Sequence, residues 1–463
     1  MKTQYWLICL LIYSPVLVAQ GLADRLAKAT AILQADPQMK HALLGLSVLK
    51  TESGEKVWEI NSQIGMAPAS CQKIITSAAA MEMLGPKYRF QTELGYSGQI
   101  EGNTLQGNLY IIGNGDPSLG SWRYDSTKEE IVLQNWVNIL KMNGIKKING
   151  QIIGIDGKWE KETLPGGWIW DDIGNYYGAG TSALNWRENQ YDVFLHSGHE
   201  IGAKVTILYS KPEPYQSTLE SEVIAAAKET GDNAYVYLPP FSHRGFIRGT
   251  IPIDQTSFKI SGSFPDPSLQ LISAFANQLD SEKIGYNRFF SSAGKELPEI
   301  KPLYTQFSPT LDSLNYWFLK KSINLYGETL VKAIAYEKTG IGSTDKGVLL
   351  LKEFWNQKGV ESASINIIDG SGLSPQNRVT TDALVHVLQF AKSRPWFSYF
   401  YDALPLFNQM KLKSGTIGGT KSFTGYHTAK DGTKYTVAII VNNFDGSSSE
   451  IVKKMFRILD ELK

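Results

Sequence analysis

The two ends of this chain share a texture that its middle lacks, and any fold must account for that. Residues 24–35 (DRLAKATAILQA) place Leu26, Ala29, Ile32 and Leu33 at helical spacing. The next stretch, ALLGLSVLKTESGEKVWEIN, predicts two strands around a Ser-Gly turn. At the far end, YTVAIIVNNF has the pattern of a buried strand. The closing SEIVKKMFRILDELK predicts an amphipathic helix with Ile451, Met455, Ile458, Leu459 and Leu462 on one side. From about residue 90 the pattern changes to short alternating runs punctuated by Gly and Asn, such as TELGYSG, GNLYIIGNG and KKINGQIIGID, which predict strands. Further strands are expected through residues 190–262. Helical periodicity returns in PSLQLISAFANQL and dominates residues 308–338. The economical architecture is one α/β domain built from both chain ends, with mostly β material inserted between them.

With 463 residues the chain exceeds one ordinary domain, and 42% hydrophobic and 11% aromatic content supplies folded cores. Lys plus Arg number 46 against 45 for Asp plus Glu, so there is no electrostatic reason to expect nucleic acid. Residues 1–20 combine Lys2, an apolar run from Tyr5 to Val18 and an end at Ala19-Gln20, the pattern of a cleavable export signal. That predicts a periplasmic or otherwise exported protein with no transmembrane segment after cleavage. Of the two cysteines, Cys9 lies in this signal, which leaves Cys71 alone and no internal disulfide.

The stretch PASCQKII places Ser70 three residues before Lys73. On a helix these two share a face. A serine hydroxyl needs a base, and a lysine can serve only if burial or a neighbouring cation keeps its amine neutral. Ser-x-x-Lys also occurs at Ser47, Ser53, Ser292 and Ser343. The copy at Ser70 is set apart here by the sustained amphipathic helix expected after it, through Ile74, Ala78 and Met81 to Gly85-Pro86. Candidate partners are Ser322-Ile323-Asn324, between two helical stretches, and Lys413-Ser414-Gly415-Thr416, where Gly415 would let a substrate backbone lie on a strand edge. Ser364-Ile365-Asn366 and Lys338-Thr339-Gly340 have similar composition. The first lies in an alternating run, and the second ends a helix with Gly340 as its C-cap. His196 and His199 lack companions at metal-ligand spacing, so no metal and no cofactor are predicted. Gly113-Asn114-Gly115 does not continue into a nucleotide-binding pattern.

The order Ser70-x-x-Lys73, Ser322-x-Asn324, Lys413-Ser414-Gly415 resembles the penicillin-binding protein and serine β-lactamase superfamily. With YIIGNGDPSL at 110–119 and DGSGLSPQNRVT at 369–380, the chain resembles the D-alanyl-D-alanine carboxypeptidase/endopeptidase family, the class C low-molecular-mass penicillin-binding proteins. The resemblance implies a transpeptidase/β-lactamase-like domain I at residues 21–90 and 298–463. It implies an inserted domain II at 91–181 and 263–297, and an inserted domain III at 182–262. It further implies an exported serine peptidase acting on peptidoglycan stem peptides and acylated by β-lactams. By resemblance Ser70 is the nucleophile, Lys73 its base, Ser322 a proton relay and Asn324 a substrate-amide ligand. Lys413, Ser414 and Thr416 would hold the terminal carboxylate, and the N–H groups of Ser70 and Thr416 would form the oxyanion hole. Within WIWDDIGNYYGAGTSALNW, Asp172, or alternatively Asp171, would bind the amine of a diamino acid. Ser414 stands where threonine is commoner and keeps the hydroxyl. Two rival readings share the scaffold: a β-lactamase or esterase, and a non-catalytic cell-wall binding protein.

Overall fold

The computed structural model describes residues 21–294 and 297–463, so the export-signal reading of residues 1–20 lies outside the described residues. One six-stranded sheet joins the two ends of the chain. Its order is Leu406–Phe407, Met410–Ile417, Thr420–Thr428, Lys434–Asn442, Leu43–Lys50, Lys56–Ile60. Strand Leu43–Lys50 lies antiparallel to Lys434–Asn442, from Leu43 opposite Asn442 to Lys50 opposite Tyr435. The apolar run in the latter strand has a direct cause. Val437, Ile439 and Val441 pack on one face with helices Leu22–Gln34 and Ser448–Asp460, while Ala438 and Ile440 pack on the other with Ile74, Ala78 and Leu384. Both faces are dry, so alternation is lost. Ile451, Met455, Ile458, Leu459 and Leu462 are all buried against the sheet.

The second face carries the helix that follows Ser70. Helix Lys73–Met83 is buried at every position from Lys73 to Met81. It is therefore a core helix, buried all round, rather than the amphipathic one expected. Helices Leu311–Lys320, Asn324–Thr339 and Thr381–Lys392 surround it. The break between the first two, at residues 321–323, places Ser322 at a left-handed φ of 58°.

Between Phe90 and Ser308 the chain builds the inserted units. A five-stranded sheet runs Arg288–Ser292, Gln151–Ile155, Leu109–Gly113, Gln91–Tyr96, Lys301–Phe307. Helices Glu129–Met142 and Pro267–Ser281 cover it through Trp136, Leu140, Ile272 and Phe275. Strand Lys301–Phe307 pairs with Gln91–Tyr96, so the returning chain stays on this sheet beyond the division drawn at residue 298. Residues 190–263 form two three-stranded sheets around Val193, Val223, Val236 and Ile247.

Ile440→Ala removes a fully buried side chain from the strand between the two cores. It is expected to cost about 2–5 kcal/mol in denaturant unfolding, with the slope against denaturant unchanged.

Candidate active site

Ser70 sits on a strained turn. A single 3-10 turn, Ala69–Gln72, precedes the α-helix that starts at Lys73. Ala69 has a left-handed φ of 47°, a conformation that costs a non-glycine residue on the order of 1–3 kcal/mol. Three distant segments hold it. Asn442 Nδ2 donates to the Ala67 carbonyl and its Oδ1 accepts from Ala67 N–H. Ser422 Oγ donates to the Pro68 carbonyl at 2.6 Å. Gly372, at φ 80°, lies so close that a Cβ there would stand 2.0 Å from the Ala69 carbonyl oxygen.

Lys73 Nζ lies 2.9 Å from Ser70 Oγ. It also donates to Asn324 Oδ1 at 2.6 Å and to the Ser371 carbonyl at 2.7 Å. A neutral amine has two N–H groups and one lone pair. The two carbonyl-type oxygens take the N–H groups, which leaves the lone pair for the Ser70 hydroxyl. Burial holds the Lys73 ammonium well below its ordinary pKa, and the Lys413 charge lowers it further, against the opposing pull of Asp369 and Glu328. The arrangement suits proton abstraction from Ser70.

Asn324 opens its helix with its amide clamped at both ends. Its Nδ2 donates to the Tyr177 carbonyl at 2.7 Å while Oδ1 accepts from Lys73. Ser322, Asn324 and Ser70 line one cleft of about 810 Å³, shared with Asp172 and Thr416. The copy at Ser343 also precedes an amphipathic helix, Thr344–Gln357, contrary to the sequence-based expectation. There Ser343 Oγ caps the helix by accepting from Lys346 N–H, and Lys346 is exposed, so hydroxyl and amine serve different surroundings. Of the Ser364 triplet, Ser364 ends a 3-10 turn and Ile365–Asn366 forms a two-residue strand. Gly340 is the left-handed cap of helix Asn324–Thr339.

The third motif lies on strand Met410–Ile417, whose outer neighbour pairs only with Met410 and Lys411. Lys413 is buried and its Nζ donates to the Ser414 carbonyl at 2.7 Å. Burial brings its ammonium down to about 8. Thr416 reaches the cleft and its Oγ1 accepts from Lys421 Nζ at 2.9 Å, across the hairpin. Gly415 packs against the Ser70 turn. A Cβ there would stand 2.6 Å from the Pro68 carbonyl and 2.9 Å from Ser70 N. The glycine admits the strand against the Ser70 turn. Cys71 is buried behind the same strand, with Sγ 3.1 Å from the Lys413 carbonyl, and burial pushes its thiol up to about 11. It packs as an apolar group.

The two aspartates separate. Asp172 lines the cleft beside Tyr176, Tyr177 and Tyr235, and burial raises its carboxyl to about 6 against a hydrogen bond from Tyr177. Asp171 accepts from the Tyr237 hydroxyl at 2.9 Å and is exposed. His199 pairs with Asp254 in the inserted unit.

Sequence reasoning passed over three groups. Asp369, within DGSGLSPQNRVT, accepts from Gln72 Nε2, the Gly372 and Ser374 N–H groups, Asn377 Nδ2 and Trp168 Nε1, all at 2.7–3.0 Å. Glu328 is buried and accepts from Gly370 N–H. Its position four residues after Asn324, on one helical face, was a readable signal. Lys421 was legible only through its pairing opposite Thr416.

A family model described as the D-Ala-D-Ala carboxypeptidase 3 (S13) family matches residues 26–462. The D-alanyl-D-alanine carboxypeptidase of Actinomadura sp. (strain R39) is 26% identical, over 90% of this chain and 80% of its own. Penicillin binding protein 4 (dacB) from Haemophilus influenzae has the same fold, with a TM-score of 0.80 at 21% identity over 94% of this chain and 99% of that one. The same protein complexed with a β-lactam matches with a TM-score of 0.75 at 20% identity, over 94% and 99% of the two chains. The match runs through nearly all described residues, and the chain belongs to the D-Ala-D-Ala carboxypeptidase 3 (S13) family of serine peptidases.

Proposed function

We propose that this protein is an exported serine D-Ala-D-Ala carboxypeptidase and endopeptidase that cuts peptidoglycan stem peptides through an acyl-enzyme on Ser70. The observation that carries the reading is the buried Lys73 amine 2.9 Å from Ser70 Oγ, in a cleft shared with Ser322 and Thr416. Ser70 Oγ bonds to the carbonyl carbon of the penultimate D-Ala as its proton passes to Lys73 Nζ. The N–H groups of Ser70 and Thr416 receive the oxyanion. The C–N bond then breaks, and a proton delivered through Ser322 leaves with the amine of terminal D-Ala or of a cross-linked stem. Water attacks the ester, releases the acid and returns the proton to Ser70. Lys413, with Ser414, Thr416 and Lys421, balances the terminal carboxylate of a carboxypeptidase substrate. Asp172 receives the side-chain ammonium of a diamino acid, supported by its place in the cleft and above pH 6 by its charge. No described helix is long and apolar enough to cross a membrane. Export rests on the N-terminal signal pattern.

β-Lactams carry an amide in place of the scissile bond, and the β-lactam complex of the Haemophilus protein supports acylation here. Intact mass is expected to rise by one penicillin on the wild type and not on Ser70→Ala; an unmodified wild type would overturn the enzyme reading. Slow loss of the adduct separates a peptidase from a β-lactamase. D-Ala release from a pentapeptide, measured beside cleavage of a cross-linked dimer, sets the balance of the two activities.

Gly415→Ala is expected to slow penicillin acylation about 100-fold and to lower the thermal unfolding temperature, because the new methyl fits only if the oxyanion-binding turn is displaced. The pH dependence follows from the two lysines. As pH falls, Lys73 takes up a proton and kcat/KM declines. As pH rises through about 8, Lys413 loses its charge and KM for a free-carboxylate peptide rises. Amidating that carboxylate should remove the alkaline rise.

A further inference from the structure

Glu328 has no part in the mechanism above, yet it is fully buried beside the base. Both of its carboxylate oxygens accept from Gly370 N–H, at 3.2 and 3.0 Å. Gly370 precedes Ser371, whose carbonyl takes one of the Lys73 N–H groups, and its own carbonyl accepts from Thr76 Oγ1 at 2.7 Å. The carboxylate thus fixes one end of the two-residue bridge Gly370-Ser371, whose other end orients the amine. Every charged group facing it is also enclosed. Lys73 projects from helix Lys73–Met83 and Asp369 from the loop. Lys332 lies one turn along its own helix, and bonds the Glu162 carbonyl and Glu160 at 3.7 Å. Lys413 acts on Lys73 from the sheet.

We propose that Glu328 is a positioning residue for the Lys73 base: it pins the loop that orients the amine, and its carboxylate offsets the charge that Lys73 gains when it takes the Ser70 proton. The inference rests on the Ser70–Lys73 reading. Burial and the Asp369 charge push the Glu328 carboxyl up and the Lys73 ammonium pulls it down, so a proton on one member of the Lys73–Glu328 pair disfavours a second on the other. An ionised Glu328 favours protonated Lys73. Removing the carboxylate therefore makes Lys73 a weaker base that stays neutral to lower pH.

The test is the rate of acylation by a fluorescent penicillin against pH, for wild type, Glu328→Gln and Glu328→Asp, with thermal unfolding of each. Glu328→Gln is expected to move the acidic limb to lower pH and to lower the plateau about tenfold. Glu328→Asp keeps the charge and withdraws it from Gly370. It should leave the limb in place and lower the plateau alone. A Gln variant whose profile superimposes on wild type, or falls by one factor at every pH, overturns the proposal. If the Gln variant does not fold, an Asp variant with an unchanged plateau overturns it. Absence of wild-type acylation at all pH values would instead overturn the underlying Ser70–Lys73 reading, and this inference with it.

Discussion

A lysine amine removed from water is the condition on which the rest of this site depends. Burying an ammonium without compensation costs several kcal/mol, so the group gives up its proton instead. Lys73 is wholly enclosed, with a second buried lysine on one side and two buried carboxylates on the other. Lys413 and desolvation push toward the neutral amine, and Asp369 and Glu328 pull toward the cation. That balance sets the proton affinity of the amine, as the proposed exchange with Ser70 requires. A base far below its substrate's basicity could not take the proton, and one far above could not release it.

The enclosure is built by segments far apart in the chain. Asn324 and Ser371, the two acceptors of Lys73, come from a helix and a loop more than two hundred residues downstream. The inserted unit closes the third side. Tyr177 gives its carbonyl to Asn324, Trp168 donates to Asp369, and the Thr181 hydroxyl meets that of Thr329 at 2.8 Å. An insertion that leaves after Phe90 thus returns to touch Asn324, one acceptor of Lys73, and Asp369 in the loop that carries the other. The left-handed Ala69 is tolerated because Asn442, Ser422 and Gly372 restrain its turn from three directions.

Much of this was legible in one dimension. The strand signals at residues 43–60 and 434–442, with the flanking helices, anticipate a sheet shared by both ends, since each needs an apolar partner the other supplies. The order of the three short motifs singled out Ser70, Ser322 and Lys413 from several copies of similar composition. Periodicity missed the helix Glu129–Met142, which lies between strand signals. It also misread helix Lys73–Met83 as one-sided, because small residues on its outer faces pack as closely as large ones. Ser343 precedes a helix just as Ser70 does, so a helix after the serine does not by itself set the Ser70 copy apart. What differs is whether the lysine meets water.

By itself the sequence determined which residue types were available, in what order, and which stretches had to be buried. The tertiary structure decided which lysine is taken out of water, which aspartate faces the cleft, and that Gly415 packs against the Ser70 turn. The reason is physical. Spacing along a helix sets who is adjacent within one segment, whereas proton affinity depends on how completely other segments exclude water and which charges they bring.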